Sequence, residues 1–513
     1  MSCMLAVDCG LTVCKAVIFS LDGRVIGAGT SKPPVLFPQP GWAERDPENL
    51  WQHACRAIKE ALADSQLQAE DIACVCVTGQ GNGIYGLDAK CRPVRNCILS
   101  TDTRALGTVE TLKTEGTFEK AHFLTGNQIW AASPPVLMRW IKDHEPEVYA
   151  RTRHICFVKD YIKYRLTGEL NSDHTDVTGG ALADTRQIAY RPEILAAYGI
   201  SEIESTLPPL LNAWDIGGRI TRTAAAAAGL AEGTPVAVGG MDLHMTALGC
   251  GCLAADQLSI IIGTWAINSL ILQEPVFDPA VLFTTTYCIP HRWLLVDGSA
   301  SSAANLDWFV EQFCAEEKQQ AATLGISTFD VINAALADTD PTSSEILFHP
   351  FIYGSNVQPT ARAGFYGLAG WHRRSDLLRA ILEGVCFSHL SHVENLRARR
   401  AEREAFLAGG GKRSRIWVQM FCDVLATPIT IPAADELGAL GCAITAAVAA
   451  GHYPDHPTAV ARMCAVADKI QPNAEANRVY LQKYRLYKML RDAMRPAWDA
   501  MYHTFQSVKV ESV

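Results

Sequence analysis

Leu5-Ala6-Val7-Asp8-Cys9-Gly10-Leu11-Thr12-Val13-Cys14-Lys15-Ala16-Val17-Ile18-Phe19 is the stretch that decides the fold. Two apolar runs flank a short tip, so it reads strand, tight turn, strand. Asp22-Gly23 signals a second hairpin before Val25-Ile26-Gly27-Ala28. A helix opens at Asp46-Pro47-Glu48, with Asp as N-cap, Pro in the first helical position and an acid on the positive end of the dipole. Leu50, Ala54, Ile58 and Ala61 carry it on at helical spacing. Ile72-Ala73-Cys74-Val75-Cys76-Val77 is an unbroken apolar run, the pattern of a strand buried on both faces. Hairpin, helix and buried strand in that order indicate a mixed α/β domain.

The theme returns half-way along the chain. Ile260-Ile261-Ile262-Gly263-Thr264-Trp265-Ala266-Ile267-Asn268-Ser269-Leu270-Ile271-Leu272 again reads strand, Gly-Thr turn, strand. A chain of 513 residues is too long for one core at roughly 100–250 residues per domain. Two similar halves fit that length. The Ala-rich run from Thr223 to Gly229 reads as helix. Hydrophobic residues make up 49% and charged ones 19%, the balance of a soluble globular chain. Lys plus Arg number 45 against 54 Asp plus Glu, a net charge of −9 that argues against a nucleic-acid binder held by phosphate contacts. A phosphorylated small ligand stays open, because glycine loops and a single Lys can serve it. No apolar run is long enough without polar interruption to suggest a membrane span, and Met1-Ser2-Cys3-Met4-Leu5 lacks the basic-then-apolar pattern of a signal peptide. The 17 cysteines include no Cys-x-x-Cys and are expected as reduced, buried small hydrophobes. Cys74 and Cys76 share a strand face, but zinc needs about four ligands, so core cysteine is the reading.

Four stretches can carry chemistry. At the Asp8–Lys15 tip, backbone N–H groups admit a phosphate, Thr12 adds a hydroxyl, Lys15 adds a positive charge and Asp8 can hold Mg²⁺. An ordinary solvated turn accounts for the same residues. Val236-Ala237-Val238-Gly239-Gly240-Met241-Asp242 is a buried strand ending in two glycines and a carboxylate, where α/β folds place catalytic groups. Asp242 reads either as a general base for a substrate hydroxyl or as an Asx turn or helix cap. Ala405-Phe406-Leu407-Ala408-Gly409-Gly410-Gly411 followed by a helix capped at Ser414 has a nucleotide-binding shape without a P-loop or dinucleotide pattern. Glu436-Leu437-Gly438-Ala439-Leu440-Gly441-Cys442-Ala443 is a helix whose small residues suit close packing or a bound ring.

Two patterns mislead. Gly81-Asn82-Gly83-Ile84-Tyr85-Gly86 satisfies G-x-G-x-x-G, yet the sequence runs on through Asp88 to Pro93 as a hairpin rather than a helix. His389 and His392 lie three apart on a helix, and without a third ligand they read as packed or solvated histidines.

Taken together and in order, these segments resemble the FGGY carbohydrate kinases of the actin/hexokinase superfamily over nearly the whole chain. Gly41-Trp42-Ala43-Glu44-Arg45-Asp46-Pro47, Lys159-Asp160-Tyr161-Ile162, Arg165-Leu166-Thr167-Gly168, Asp173-His174-Thr175-Asp176, Gly263-Thr264 and the stretch from Leu407 to Pro428 are similar to family landmarks. The resemblance implies an α/β fold of two ribonuclease-H-like domains flanking a central cleft. These would be residues 1–248 for sugar and phosphate, 249–495 for ATP, and a tail at 496–513. It implies ATP and Mg²⁺ as cofactors, with Asp242 the catalytic base and Asp8 the metal residue. Gly10, Thr12, Lys15, Gly263 and Thr264 would meet the phosphates, and Gly409, Gly410 and Gly411 the adenosine. Gln80, Gly81, Asn82, Asp102 and Trp130, with Asp242, would line the substrate. A cytoplasmic enzyme with a small sugar or polyol substrate and no nucleic-acid or membrane partner is implied, and a homodimer follows from family habit alone.

The substrate loop lacks the Arg-Glu pair of glycerol kinases and the Met-His pair of D-xylulose kinases. Phe351-Ile352-Tyr353-Gly354-Ser355-Asn356 has Ser-Asn where many relatives carry Glu-Arg, and Leu137 stands where the family's first signature places Lys. Ile98-Leu99-Ser100-Thr101-Asp102 and Gln128-Ile129-Trp130 look most like the L-xylulose kinase branch, although Asn82 departs from it. A pentulose such as L-xylulose is the expected acceptor. A polyol of erythritol or glycerol type is the alternative, as is a non-catalytic ATP-binding module of the same superfold.

Overall fold

The structure, a computed structural model, describes residues 2–337, 339–342, 344–355 and 358–511. Met1, Asn356 of the Ser-Asn pair, and Ser512 and Val513 of the expected tail lie outside the described residues. The chain forms two compact units. The first comprises Met1–Ala255, Ile271–Leu295 and Ala434–Ala465; the second comprises Asp256–Leu270, Val296–Ala433 and Val466–Val513.

The first unit is built on β1 (Cys3–Cys9), β2 (Cys14–Ser20), β3 (Val25–Ser31), β4 (Ile72–Gly79), β5 (Ile216–Arg219) and β6 (Pro235–Ala237), in the order β5-β6-β4-β1-β2-β3. β1, β2 and β3 are the two expected hairpins, with Asp8 opposite Lys15 and Cys9 opposite Cys14. β4 runs parallel to β1 and to β6, so the carboxyl ends of three strands lie together. Its residues from Cys74 to Val77 are fully buried, as an unbroken apolar run requires. Helix Pro47–Ser65 starts where the sequence places it, and the Asp46 carboxylate accepts the Glu48 amide at 2.8 Å. Helix Arg222–Ala228 matches the Ala-rich run.

The second unit repeats the hairpin-plus-parallel-strand motif. β7 (Gln257–Ile262) pairs antiparallel with β8 (Ala266–Leu272) and parallel with β10 (Glu404–Ala408). β9 (Trp293–Ser299) flanks β8, and β11 (Ile429–Pro432) and β12 (Val466–Ile470) extend the sheet beyond β10. A 38-residue helix, Ala474–Glu511, follows and passes through Pro496.

Fifteen of the 17 cysteines are buried, and Cys3, Cys9, Cys14, Cys55, Cys97 and Cys156 belong to one apolar core. The G-x-G-x-x-G decoy resolves as expected. Tyr85–Leu87 is a strand paired with His154–Cys156, and the Asp88 amide donates to the Arg92 carbonyl at 2.8 Å, closing a turn. His389 is buried between Asn268 and Ser302, each 2.9 Å from a ring nitrogen, and His392 lies against Asp297 and Ser299. Among the described residues no group of three or more His, Cys, Asp or Glu could hold a metal ion, and no helix is long and apolar enough to cross a membrane.

Candidate active site

Asp242 is delivered by the turn that follows β6. Gly239 has φ +75°, and a Cβ there would lie 1.8 Å from the Val77 carbonyl, so only glycine lets the chain cross β4. The Thr78 hydroxyl donates to the Gly240 carbonyl at 2.6 Å, and the Met241 amide donates to the Thr175 hydroxyl at 2.9 Å. The turn is thereby pinned from two sides. Thr175 is itself set by Asp173, which caps helix His174–Gly179 and joins Asp160 and Asp176 around the buried Lys159 ammonium at 2.6–3.2 Å. That charge cluster explains why the Lys159-Asp160 and Asp173–Asp176 stretches stand out: they buttress the turn.

Met241 occupies the cap position, and Asp242 is the first residue of helix Asp242–Gly249, with Oδ1 accepting the Leu243 amide at 2.7 Å. Burial, and then the charge of Asp8, push Asp242 up to about 7. Asp8 is pushed up to about 6 by burial, with Lys15 opposing and Glu436 adding to the rise. Two carboxyls therefore share one poorly solvated locality at the strand ends.

The Gln80–Asn82 loop leaves β4 beside this turn. A Cβ at Gly81 would meet the Met241 side chain at 2.5 Å. Gln80 and Asn82 are buried, Asn82 in the left-handed region at φ 60°. Gln80 Nε2 and Asn82 Oδ1 have no hydrogen-bond partner among the described residues. The Gly83 amide donates to the Ala132 carbonyl at 3.0 Å, which joins the loop to the turn carrying the half-buried Trp130. Gly81 is thus brought against Met241, the residue before Asp242, and Trp130 lies on the turn bonded to the same loop.

Asp102 is held differently. Its Oδ2 accepts the Ala43 amide at 2.6 Å and Arg104 Nη2 at 2.8 Å, while Oδ1 accepts the Arg104 amide and Nε at 2.8 and 2.9 Å. The Arg104 guanidinium stacks 3.8 Å from the Trp42 ring centre. Protein donors therefore occupy both Asp102 oxygens. The segment touches the Gln80–Asn82 loop through the Ser100 hydroxyl, 3.4 Å from Gln80 Oε1.

At the hairpin tip the Gly10 amide donates to Val13 O at 3.0 Å and Thr12 is exposed. Lys15 Nζ is held by both Glu436 oxygens, at 3.0 and 2.8 Å. Glu436 precedes helix Leu437–Ala449, whose small residues pack against helix Asp242–Gly249: a Cβ at Gly441 would lie 1.9 Å from the Met245 carbonyl. Close packing, one of the two readings of that stretch, is what they serve.

The second unit holds a cavity of about 380 Å³ lined by Gly263, Thr264, Gly410 and Gly411, with Leu306, Phe329, Asn333 and Trp417 among its walls. Its volume suits a nucleoside-sized ligand. Gly409 lies beneath, at φ +90°, where a Cβ would meet the Ile262 carbonyl at 2.2 Å. The Gly263–Thr264 turn is anchored by the Ala303 and Ser302 amides, at 2.9 and 3.1 Å. Ser414 caps helix Arg415–Leu425 as expected and donates to Asn333 Oδ1 at 2.6 Å.

The N-terminal domain of the FGGY family of carbohydrate kinases matches residues 3–249, and its C-terminal domain matches residues 258–450. The chain belongs to the FGGY carbohydrate kinases. This FGGY kinase is 34% identical over 495 residues to the L-xylulose/3-keto-L-gulonate kinase of Escherichia coli (strain K12), covering 96% of the chain and 97% of that relative. A probable L-xylulose kinase of Pasteurella multocida (strain Pm70) is 33% identical, covering 96% and 99%. A solved xylulose kinase from Rhodospirillum rubrum superposes with a TM-score of 0.84 at 27% identity, covering 96% of this chain and 99% of that one. The chain is therefore a sugar kinase of the two-domain, actin/hexokinase-like fold. Sequence reasoning missed Glu436, Arg45 and Asn333 as parts of this kinase's candidate sites. Glu436 and Arg45 lie inside longer stretches that are read without a role for either, and Asn333 follows the Ser327-x-x-Asp330 capping box that starts its helix.

Proposed function

We propose that this kinase transfers the γ-phosphoryl group of ATP to a terminal hydroxyl of a small ketose, a pentulose such as L-xylulose. The observation that carries the reading is Asp242, raised to about 7 beside a loop offering an unpaired buried donor, Gln80 Nε2, and an unpaired buried acceptor, Asn82 Oδ1. Buried polar atoms of that kind call for a polar ligand, and a polyhydroxylated one satisfies both. A base with a pKa near 7 takes a hydroxyl proton most effectively at neutral pH. In this reading Asp242 removes the proton as the sugar oxygen attacks the phosphorus. Gln80, Gly81, Asn82 and the Trp130 turn orient the sugar, and Asp102 acts on it through the Ser100 segment.

The adenosine is assigned to the cavity at Gly409, Gly410 and Gly411, and the phosphates to Gly10, Thr12, Lys15, Gly263 and Thr264. The crowded negative charge at Asp8 and Asp242 fits a divalent cation, and Asp8 would hold Mg²⁺. When bound, the ion neutralises phosphate charge. The sugar is assigned to the first unit and the nucleotide to the second, in a cytoplasmic enzyme that can form a homodimer. The division at 248/249 follows the sequence, while residues 271–295 and 434–465 pack in the first unit and residues 496–511 continue the helix Ala474–Glu511 rather than forming a separate tail. The L-xylulose kinase names of the relatives support the pentulose. The test is a coupled ADP-release assay on ketopentoses, tetritols and pentitols, ranked by kcat/KM. A ketopentose ranks first if the reading holds. A tetritol or pentitol ranking first replaces it with a polyol kinase.

A further inference from the structure

Arg45 is fully buried, yet it lies beneath the exposed hairpin tip of the first unit. Its Nη1 donates to the Gly10 carbonyl at 3.2 Å and its Nη2 to the Leu11 carbonyl, while Nε has no partner among the described residues. The preceding Glu44 faces the other way and pairs with Arg95 and Arg104. The titratable groups facing Arg45 are the Cys9 and Cys97 thiols, the Tyr85 phenol and His53. Among the described residues no carboxylate forms an ion pair with it. A buried guanidinium without a counter-charge is costly, so its retention calls for an anion the chain does not itself supply.

The geometry points to that anion. In a trans peptide the C=O and N–H point in opposite directions. Drawing the Gly10 and Leu11 carbonyls down onto Arg45 turns the Leu11 and Thr12 amides outward, as a pair of donors over a buried positive charge. Such a concavity of backbone amides suits a phosphate oxygen. We propose that Arg45 is a positioning residue for the nucleotide's phosphates: it orients the tip amides and supplies the charge that the polyphosphate meets there. This rests on the kinase reading and adds to it a residue that never touches the nucleotide.

The test is calorimetric binding of MgATP, MgADP and adenosine to the full-length wild type, Arg45→Gln and Arg45→Lys. The Gln variant keeps donors without charge. It is expected to bind MgATP about tenfold more weakly, the effect of one charge acting through protein over roughly 10 Å. MgADP should weaken less and adenosine not at all, a dependence on phosphate number that a merely structural role would not give. The Lys variant keeps the charge but reaches fewer carbonyls, and should fall between the other two. Should Arg45→Gln lose adenosine as well, it has not folded, and Arg45→Lys decides: weaker MgATP with unchanged adenosine supports the proposal, unchanged MgATP overturns it. Wild-type MgATP affinity in Arg45→Gln, or a Lys variant as weak as the Gln variant, also overturns it. If the wild type binds no MgATP, the kinase reading falls with it. If the wild type binds and Arg45→Gln binds equally well, the Arg45 proposal falls alone.

Discussion

Gly441→Ala sets two effects of opposite sign against each other. In a helix interior alanine is favoured over glycine by about 1 kcal/mol, so propensity alone predicts stabilisation. The added Cβ, however, would sit 1.9 Å from the Met245 carbonyl oxygen, a backbone atom that cannot swing away. Restoring van der Waals contact requires helices Asp242–Gly249 and Leu437–Ala449 to part by roughly 1.5 Å. Overpacking of that kind costs about 1–3 kcal/mol or more, so the clash wins and the net change is destabilising. The displaced helix begins at Asp242, and misplacing a catalytic group by about 1 Å costs on the order of 100-fold in rate. Thermal unfolding and steady-state kinetics on the same preparation read both effects. Tm should fall by several degrees, and kcat should fall far more than the KM for MgATP rises. Wild-type Tm and kcat would refute the claim that this helix contact positions the base.

Asp242 has a folded pKa of about 7, above its ordinary 3.8. Its protonated form is therefore favoured by folding, and the cost of ionising it accumulates as pH rises from about 4 to 7. Asp242→Asn should raise Tm at pH 8, with the gain fading towards pH 4, and wild-type kcat/KM should fall as pH drops below 7. Gly409→Ala places a side chain 2.2 Å from the Ile262 carbonyl in a left-handed backbone position; adenosine affinity measured by calorimetry should drop at least tenfold. Asp102→Asn replaces a carboxylate that accepts four hydrogen bonds, three of them from Arg104. Glu44 still pairs with the Arg104 guanidinium, so the loss is that of one carboxylate's charge-assisted hydrogen bonds and should lower stability by about 1–3 kcal/mol, read by denaturant titration. An unchanged midpoint would mean that the Asp102 network is not structural.

The elements with local signatures were legible in the sequence. The hairpins around Asp8 and Gly263, the Asp46-Pro47 helix start, the Gly-Gly turn before Asp242 and the Ser414 cap each depend on neighbours within a few residues, and each appears where it was read. Hairpins and caps are local, so their chemistry is written locally. The Lys15–Glu436 pair joins residues 421 positions apart, and no periodicity announces such a contact. The G-x-G-x-x-G pattern at Gly81–Gly86 is set aside by its own neighbours, the Asp88–Pro93 hairpin, and what the sequence did not show was the distant pairing of Tyr85–Leu87 with His154–Cys156. Arg45 is read only within the Gly41–Pro47 landmark, and its burial beneath the Gly10 and Leu11 carbonyls depends on contacts 35 and 34 positions away. The return of residues 434–465 to the first unit likewise depends on long-range packing alone.

The central claim is that Asp242 takes the proton from a sugar hydroxyl during phosphoryl transfer from ATP. Its most direct test compares wild type and Asp242→Asn for ADP release with L-xylulose and MgATP, alongside calorimetric MgATP binding. The account predicts turnover in the wild type and a loss of about 10²–10⁴-fold in the variant, the range for a lost general base, while MgATP affinity stays within a few-fold. Turnover by the variant at a rate near wild type would contradict it.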